Sequence, residues 1–195
     1  AGTTSLVLGT SSGIHAWHNE FYIRRLRVGK NEPIYKYLLA HNPDLVKDEY
    51  FRPHDTAVIE IPQSAPKGSI TRTESAFDLL KRVKKVATEW VKPGHRKGSN
   101  THNVSATISL KSDEWDKAGK WMWDNRECYN GLAVLPYDGG SYTQAPFEDI
   151  TEEEFNKRVK LLNDVDLSMI IEATDETDLS GELACAGGSC EISSL

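Results

Sequence analysis

The feature that most restricts the fold is a change of period in the middle of the chain. From about Thr73, the residues Ala76, Leu79, Leu80, Val83, Val86, Ala87 and Trp90 recur at spacings of three and four, with Lys81, Arg82, Lys84 and Lys85 between them. That is one apolar stripe on an α-helix, and Pro93-Gly94 stops it. Val104, Ala106, Ile108 and Leu110 then alternate, as in a strand with one buried face. Ser112 caps a second helix through Trp115, Trp121 and Trp123, and the residues from Gly131 to Tyr137 read as a short apolar strand. Thr151 with Glu154 forms a capping box for a third helix that ends near Leu162. Strands alternating with helices of this length predict α/β units.

The flanks are less regular. Residues from about Asn19 to Leu39 read as one or two helices broken at Pro33. Those from Ala57 to Ile61 read as a short strand ended by Pro62 and Pro66. After Ile171 the periodicity is lost and Glu172, Asp175, Glu176, Asp178 and Glu182 follow, so 1–172 is the expected folded body and 173–195 a mobile tail. A length of 195 residues with five tryptophans supports a sizeable core. No run approaches the roughly 18 apolar residues that cross a bilayer, and no membrane partner is expected.

Charge and cysteine usage narrow the partners. Residues 1–97 hold sixteen Lys/Arg against ten Asp/Glu, and residues 98–195 hold seven against nineteen. A basic half can face nucleotide phosphates, although Lys81 to Lys85 are explained by a solvated helix face. Direct binding of nucleic acid is not expected. Three cysteines, Cys128, Cys185 and Cys190, are too few for a disulfide-stapled scaffold, so a reducing, cytoplasmic setting is expected.

Three motifs offer chemistry. Ala1-Gly2-Thr3-Thr4-Ser5 combines a glycine, which permits close backbone approach, with three hydroxyls, and such a loop can cradle phosphate oxygens without a lysine. Ser11-Ser12-Gly13-Ile14-His15, followed by His18, puts two histidines three apart. No Cys or carboxylate cluster completes a ligand shell, so a capped turn is the better reading and no metal site is expected. Cys185-Ala186-Gly187-Gly188-Ser189-Cys190 has a spacer small enough for the chain to fold back and pair its thiols. Redox exchange, inert thiols and metal binding all remain open there, with redox use favoured. Cys128 reads as an ordinary, partly buried thiol.

In combination these segments resemble one family. Ala1 to Leu6, then Gly9-Thr10-Ser11-Ser12-Gly13-Ile14-His15 and Phe21-Tyr22-Ile23-Arg24-Arg25, resemble the substrate-phosphate loop and following segment of ribonucleotide reductase large chains. Leu135-Pro136-Tyr137, Tyr142 and Gln144-Ala145-Pro146-Phe147-Glu148 resemble a later segment of the adenosylcobalamin-dependent class, and the Cys185–Cys190 spacing matches its shuttle pair. Ala16 departs from the proline that many relatives carry after the histidine. Oxygen-dependent relatives have two adjacent tyrosines in this region, whereas Tyr137 and Tyr142 stand apart.

The resemblance implies an α/β fold, namely the closing portion of a ten-stranded α/β barrel with a flexible C-terminal tail. It implies adenosylcobalamin as cofactor, a ribonucleotide as substrate and thioredoxin or a similar protein as reductant. Ala1, Gly2, Thr3, Thr4 and Ser5 would bind substrate phosphate, and Cys185 and Cys190 would shuttle electrons. The finger loop with the thiyl-radical cysteine has no counterpart here, so an N-terminal reductase chain or portion is the expected partner, whether through a split gene, processing or truncation. Two alternatives stand beside this: a non-catalytic nucleotide-binding or regulatory module, and a small thiol-redox protein working through the C-terminal pair. Exposed edges of an incomplete sheet would favour the first reading.

Overall fold

In the computed structural model, which describes residues 4–5, 8–137 and 142–171, the elements run β1 (Phe21–Gly29), α1 (Pro33–His41), β2 (Val46–Asp48), β3 (Thr56–Ser64), α2 (Ala76–Val86), β4 (Thr107–Leu110), α3 (Trp115–Asp124), β5 (Ala133–Pro136), β6 (Phe147–Asp149) and α4 (Glu152–Val159). They fall into two units. One holds Ala1–Trp17 with Lys67–Gly139, the other His18–Pro66 with Gly140–Leu195. The fold is mixed α/β, with a four-stranded and a two-stranded sheet among the described residues. The segment 173–195, expected to be a tail, lies outside them.

The first unit is a βαβ arrangement. β4 and β5 pair in parallel, from Thr107 opposite Ala133 to Leu110 opposite Pro136, and α3 is the crossover between them. The stripe of α2 packs as its spacing requires: Leu79, Leu80 and Val83 are buried with Ile108 and Leu110 of β4 and Ala118 of α3. Burying such aliphatic side chains stabilises by about 1.5–3 kcal/mol each. The buried Glu114 locks this packing in place. Its carboxylate accepts from the Ala76 N–H at 3.2 Å, at the start of α2, and from the Lys111 N–H at 2.9 Å, at the exit of β4. Glu114 therefore stands at the head of α3, where the sequence pointed to Ser112.

Three tryptophans stand outside the core where regular helical spacing would bury them. A π-helical turn, Ala87–Val91, follows α2 and slips the helical phase by about one residue. Val91 is thereby turned toward the core and Trp90 out of it, 79% exposed. On α3, Trp121 packs against the core, but Trp115 and Trp123 are exposed, with the Arg126 guanidinium 4.9 Å from the Trp123 ring.

The second unit is built on the antiparallel order β2-β3-β1-β6. Here the expected helix before Pro33 is a nine-residue strand, in register with β3 from Phe21 opposite Ser64 to Gly29 opposite Thr56. Arg24, Arg25 and Arg27 hide its strand character locally. Arg25 sits directly opposite Glu60 in the ladder, and that partner is 35 residues away. Pro33 does not break a helix but begins one, α1, in the first turn, where its missing N–H costs nothing. β3 continues through Pro62 to Ser64 rather than ending there.

The core of this unit gathers Tyr37, Leu38, Leu45 and Ile59. Thr151 caps α4 as expected, accepting from the Glu154 N–H at 3.2 Å. Beyond α4 the chain is lashed to α1. The Asn42 side chain accepts from the Asn163 N–H at 2.7 Å, and the Tyr37 hydroxyl accepts from the Asp166 N–H at 2.9 Å.

Candidate functional site

Of the expected phosphate loop, Thr4 and Ser5 are described, while Ala1, Gly2 and Thr3 lie outside the described residues. Thr4 and Ser5 are helical, and the Leu8 N–H donates to Thr4 O at 3.1 Å. Thr4 is exposed. Ser5 is buried, with its backbone carbonyl accepting from the Thr10 N–H at 2.9 Å and its hydroxyl 3.4 Å from the Gly13 N–H. Gly9 and Gly13 both take left-handed φ, at 62° and 58°. A side chain at either would be strained, so the glycines of Gly9-Thr10-Ser11-Ser12-Gly13 are what fold this segment back onto Ser5.

His15 fixes the loop to the sheet. Its Nδ1 lies 2.9 Å from Ser12 O, and its Nε2 accepts from the Thr107 N–H at 3.1 Å, the first residue of β4. Both ring nitrogens are thereby engaged, which assigns the Nδ1-protonated tautomer. In the second unit, His18 lies 3.0 Å from the Asp149 carboxylate and stacks on Phe147 at 4.9 Å between ring centroids. No group of three metal-ligating side chains occurs among the described residues. Cys128 is a half-buried free thiol in a short turn after α3, and Cys185 and Cys190 lie outside the described residues.

The segment Gln144–Glu148 is the best-anchored piece of the second unit. Gln144 adopts φ 53°, and its amide bridges the β2–β3 loop, accepting from the Tyr50 N–H at 2.8 Å and donating to Asp48 O at 2.7 Å. Arg25 then grips the next four residues. Its backbone N–H donates to Pro146 O at 2.8 Å and its Nη1 to Ala145 O at 3.0 Å, while its Nη2 pairs with the Glu148 carboxylate. Its Nε donates to Glu60 at 2.7 Å, and Arg158 reaches the other Glu60 oxygen at 3.4 Å.

Arg25 and Glu60 expose only 8% and 10% of their side chains. Burial alone would lower the Arg25 pKa, but its hydrogen bonds to Glu148 and Glu60 outweigh burial and hold it above the ordinary value. On the neighbouring positions, burial pushes the Tyr22 hydroxyl up and the Arg24 guanidinium down, with Arg24 5.5 Å above the Phe147 ring.

This clamp was not foreseen from the sequence. Its members come from β1, β3, β6 and α4, so no local spacing marks them.

Among the described residues, the sheet of the first unit is covered on one face. Parallel strands are ordinarily covered on both faces. Here α2 and α3 cover one face, through Ile108 and Leu110, while Thr107, Ser109, Ala133 and Leu135 are exposed, Leu135 at 46%. No described strand pairs with the outer side of β5.

No protein-family profile matches the chain. It is 27% identical over 195 residues to the adenosylcobalamin-dependent ribonucleoside-triphosphate reductase of Lactobacillus acidophilus, covering 98% of this chain and 25% of that protein. The enzyme of the same name from Lactobacillus leichmannii is 26% identical over 98% of this chain and 26% of its own length. That from Euglena gracilis is 26% identical over 97% and 25%. The chain thus spans about a quarter of the length of these relatives. In fold it resembles a crystal structure of a B12-dependent (class II) ribonucleotide reductase, with a TM-score of 0.65 over 83% of this chain and 22% of that one, at 24% identity. Across nearly its whole sequence the chain is similar to adenosylcobalamin-dependent ribonucleoside-triphosphate reductases, and over most of its length its fold is that of part of a class II ribonucleotide reductase.

Proposed function

We propose that the chain forms one part of an adenosylcobalamin-dependent ribonucleotide reductase, which reduces ribonucleoside triphosphates to 2'-deoxyribonucleotides by radical chemistry. The observation that carries this reading is the open βαβ sheet of the first unit. A parallel pair with a bare face and an unpaired edge is a piece of a larger sheet, and the relatives are about four times as long as this chain. An N-terminal portion would close the ten-stranded barrel and bring the thiyl-radical cysteine. The module readings find less support, because similarity runs over 98% of the chain and not over the loop or the cysteine pair alone.

In this reading the chain supplies binding and electron delivery. Ala1 to Ser5 receive the substrate's phosphates through backbone N–H groups and the Thr3 and Thr4 hydroxyls, and buried Ser5 holds the loop in place through Gly13. Adenosylcobalamin would furnish the radical. Two depressions do not fit it: the cavity beside Cys128 and Val91 is about 30 Å³, enough for a water, and the open depression along α4 is lined mostly by polar side chains, among them Glu152, Glu153, Asn156, Lys157 and Lys160. In this reading the cofactor's seat would lie mostly in the N-terminal portion.

Replacing Thr3 and Thr4 by valine in the assembled enzyme tests the loop. Charge-assisted hydrogen bonds of this kind are each worth about 1.5–3 kcal/mol, so the KM for substrate should rise at least about tenfold. An unchanged KM would show that the loop does something else.

A further inference from the structure

Two parallel strands deliver the residues that follow them to the same edge. Lys111 follows Leu110 at the end of β4, and Tyr137 follows Pro136 at the end of β5. The Tyr137 N–H donates to Leu110 O at 2.8 Å, so both stand one step past the ladder. A third segment reaches this edge. Thr71 bridges Trp17, the Arg72 N–H donates to Trp17 O at 2.9 Å, and Lys111 Nζ donates to Thr73 O at 3.4 Å. The side chains converge on one ring: Arg72 Cζ is 5.7 Å and Lys111 Nζ 5.9 Å from the Tyr137 centroid.

Two permanent cations flank one phenol ring, which attracts each only weakly. Two described carboxylates of the same unit are engaged with other groups. Glu74 pairs with Arg82, and Glu114 accepts from the Ala76 and Lys111 backbone. Arg72 has a further partner in the fold, so an incoming anion would share or displace it. A guanidinium fork, an ammonium and a phenolic O–H form a donor set that matches phosphate oxygens. The carboxyl ends of parallel strands are also where α/β sheets bind ligands.

We propose that Arg72, Lys111 and Tyr137 form a binding position for a phosphate-bearing anion at the carboxyl edge of β4 and β5. It uses different residues from Thr4 and Ser5. His15, two residues beyond the Gly13 that Ser5 holds, reaches Thr107 at the opposite, amino end of β4. The anion is an oligophosphate group, carried by a nucleotide or free. The proposal does not depend on the reductase reading, since it is measured on this chain without turnover.

The test titrates the 195-residue chain calorimetrically with inorganic tripolyphosphate, with ATP and with adenosine at low ionic strength. Tripolyphosphate and ATP should bind and adenosine should not. ATP binding more tightly than tripolyphosphate marks a nucleotide as the source, and equal binding marks the phosphate group alone. Arg72→Gln and Lys111→Met should each weaken tripolyphosphate binding at least about tenfold. Arg72→Lys, which keeps the charge but loses the fork, should lose less. Lys81→Gln, on the exposed face of α2, should change nothing. Absence of binding by either phosphate compound overturns the proposal. So does a loss in Lys81→Gln as large as that in Lys111→Met, which would reduce the effect to general surface charge.

Discussion

Cys185→Ser or Cys190→Ser in the assembled reductase is expected to abolish turnover driven by thioredoxin while sparing single turnover by pre-reduced enzyme. In the proposed enzyme each deoxynucleotide formed consumes two electrons, which an active-site dithiol supplies as it is oxidised to a disulfide. In the proposed assembly that disulfide would be buried, out of reach of a protein reductant. A dithiol on a reaching segment exchanges with it, becomes oxidised in turn, and is reduced outside by thioredoxin. The twelve residues from Ala173 to Ala184 would span roughly 20 Å as a coil and about 40 Å fully extended, enough to travel between a surface and a barrel interior. A small dithiol diffuses in directly, so slow turnover with it should survive both substitutions. Full thioredoxin-driven turnover in both variants would show that the pair is not a shuttle.

Breaking the clamp around Arg25 should have the largest effect on stability. Arg25 and Glu60 face each other across β1 and β3 with little solvent access. Removing one partner of a buried, hydrogen-bonded pair leaves an uncompensated charge and costs about 3–5 kcal/mol. Arg25→Met and Glu60→Leu should each destabilise by about that amount, and the double replacement by distinctly less, because it leaves no orphaned charge between the two strands. Tryptophan fluorescence is blind here, since all five tryptophans belong to the first unit. Native-state hydrogen exchange of the β1 and β3 amides reads the second unit directly. Single variants within about 1 kcal/mol of the parent would show that the pair is solvent-screened and that the anchoring of Gln144–Glu148 does not depend on it.

What was legible in the sequence was governed by local period. The stripe of α2, the alternation of β4, the apolar run of β5 and the Thr151 cap each depend on neighbours within one or two turns, and each element formed, although β4 begins only at Thr107, β5 covers only Ala133–Pro136 and the stripe loses Trp90. β1 was not legible, because its arginines are satisfied by Glu60 on β3, Glu148 on β6 and Glu49 before β3, far away in sequence. Trp90 was misplaced for a related reason. A helical wheel assumes a constant period, and the π-turn that begins at Ala87 breaks it three residues before the stripe ends. At the site, Gly13 and His15 stood out as residue types, but their partners, Ser5 and the Thr107 N–H, emerge only once the loop has folded onto the sheet. Cys185 and Cys190 were found by spacing and resemblance alone.

The most direct measurement of the central claim is an assay of the purified 195-residue chain with adenosylcobalamin, a ribonucleoside triphosphate and a small dithiol. The chain has three cysteines, and none stands in the context of the family's thiyl-radical residue. The expected result is no deoxynucleotide from the chain alone and reduction only when an N-terminal portion bearing that cysteine is added. Deoxynucleotide formed by the chain alone would contradict the account.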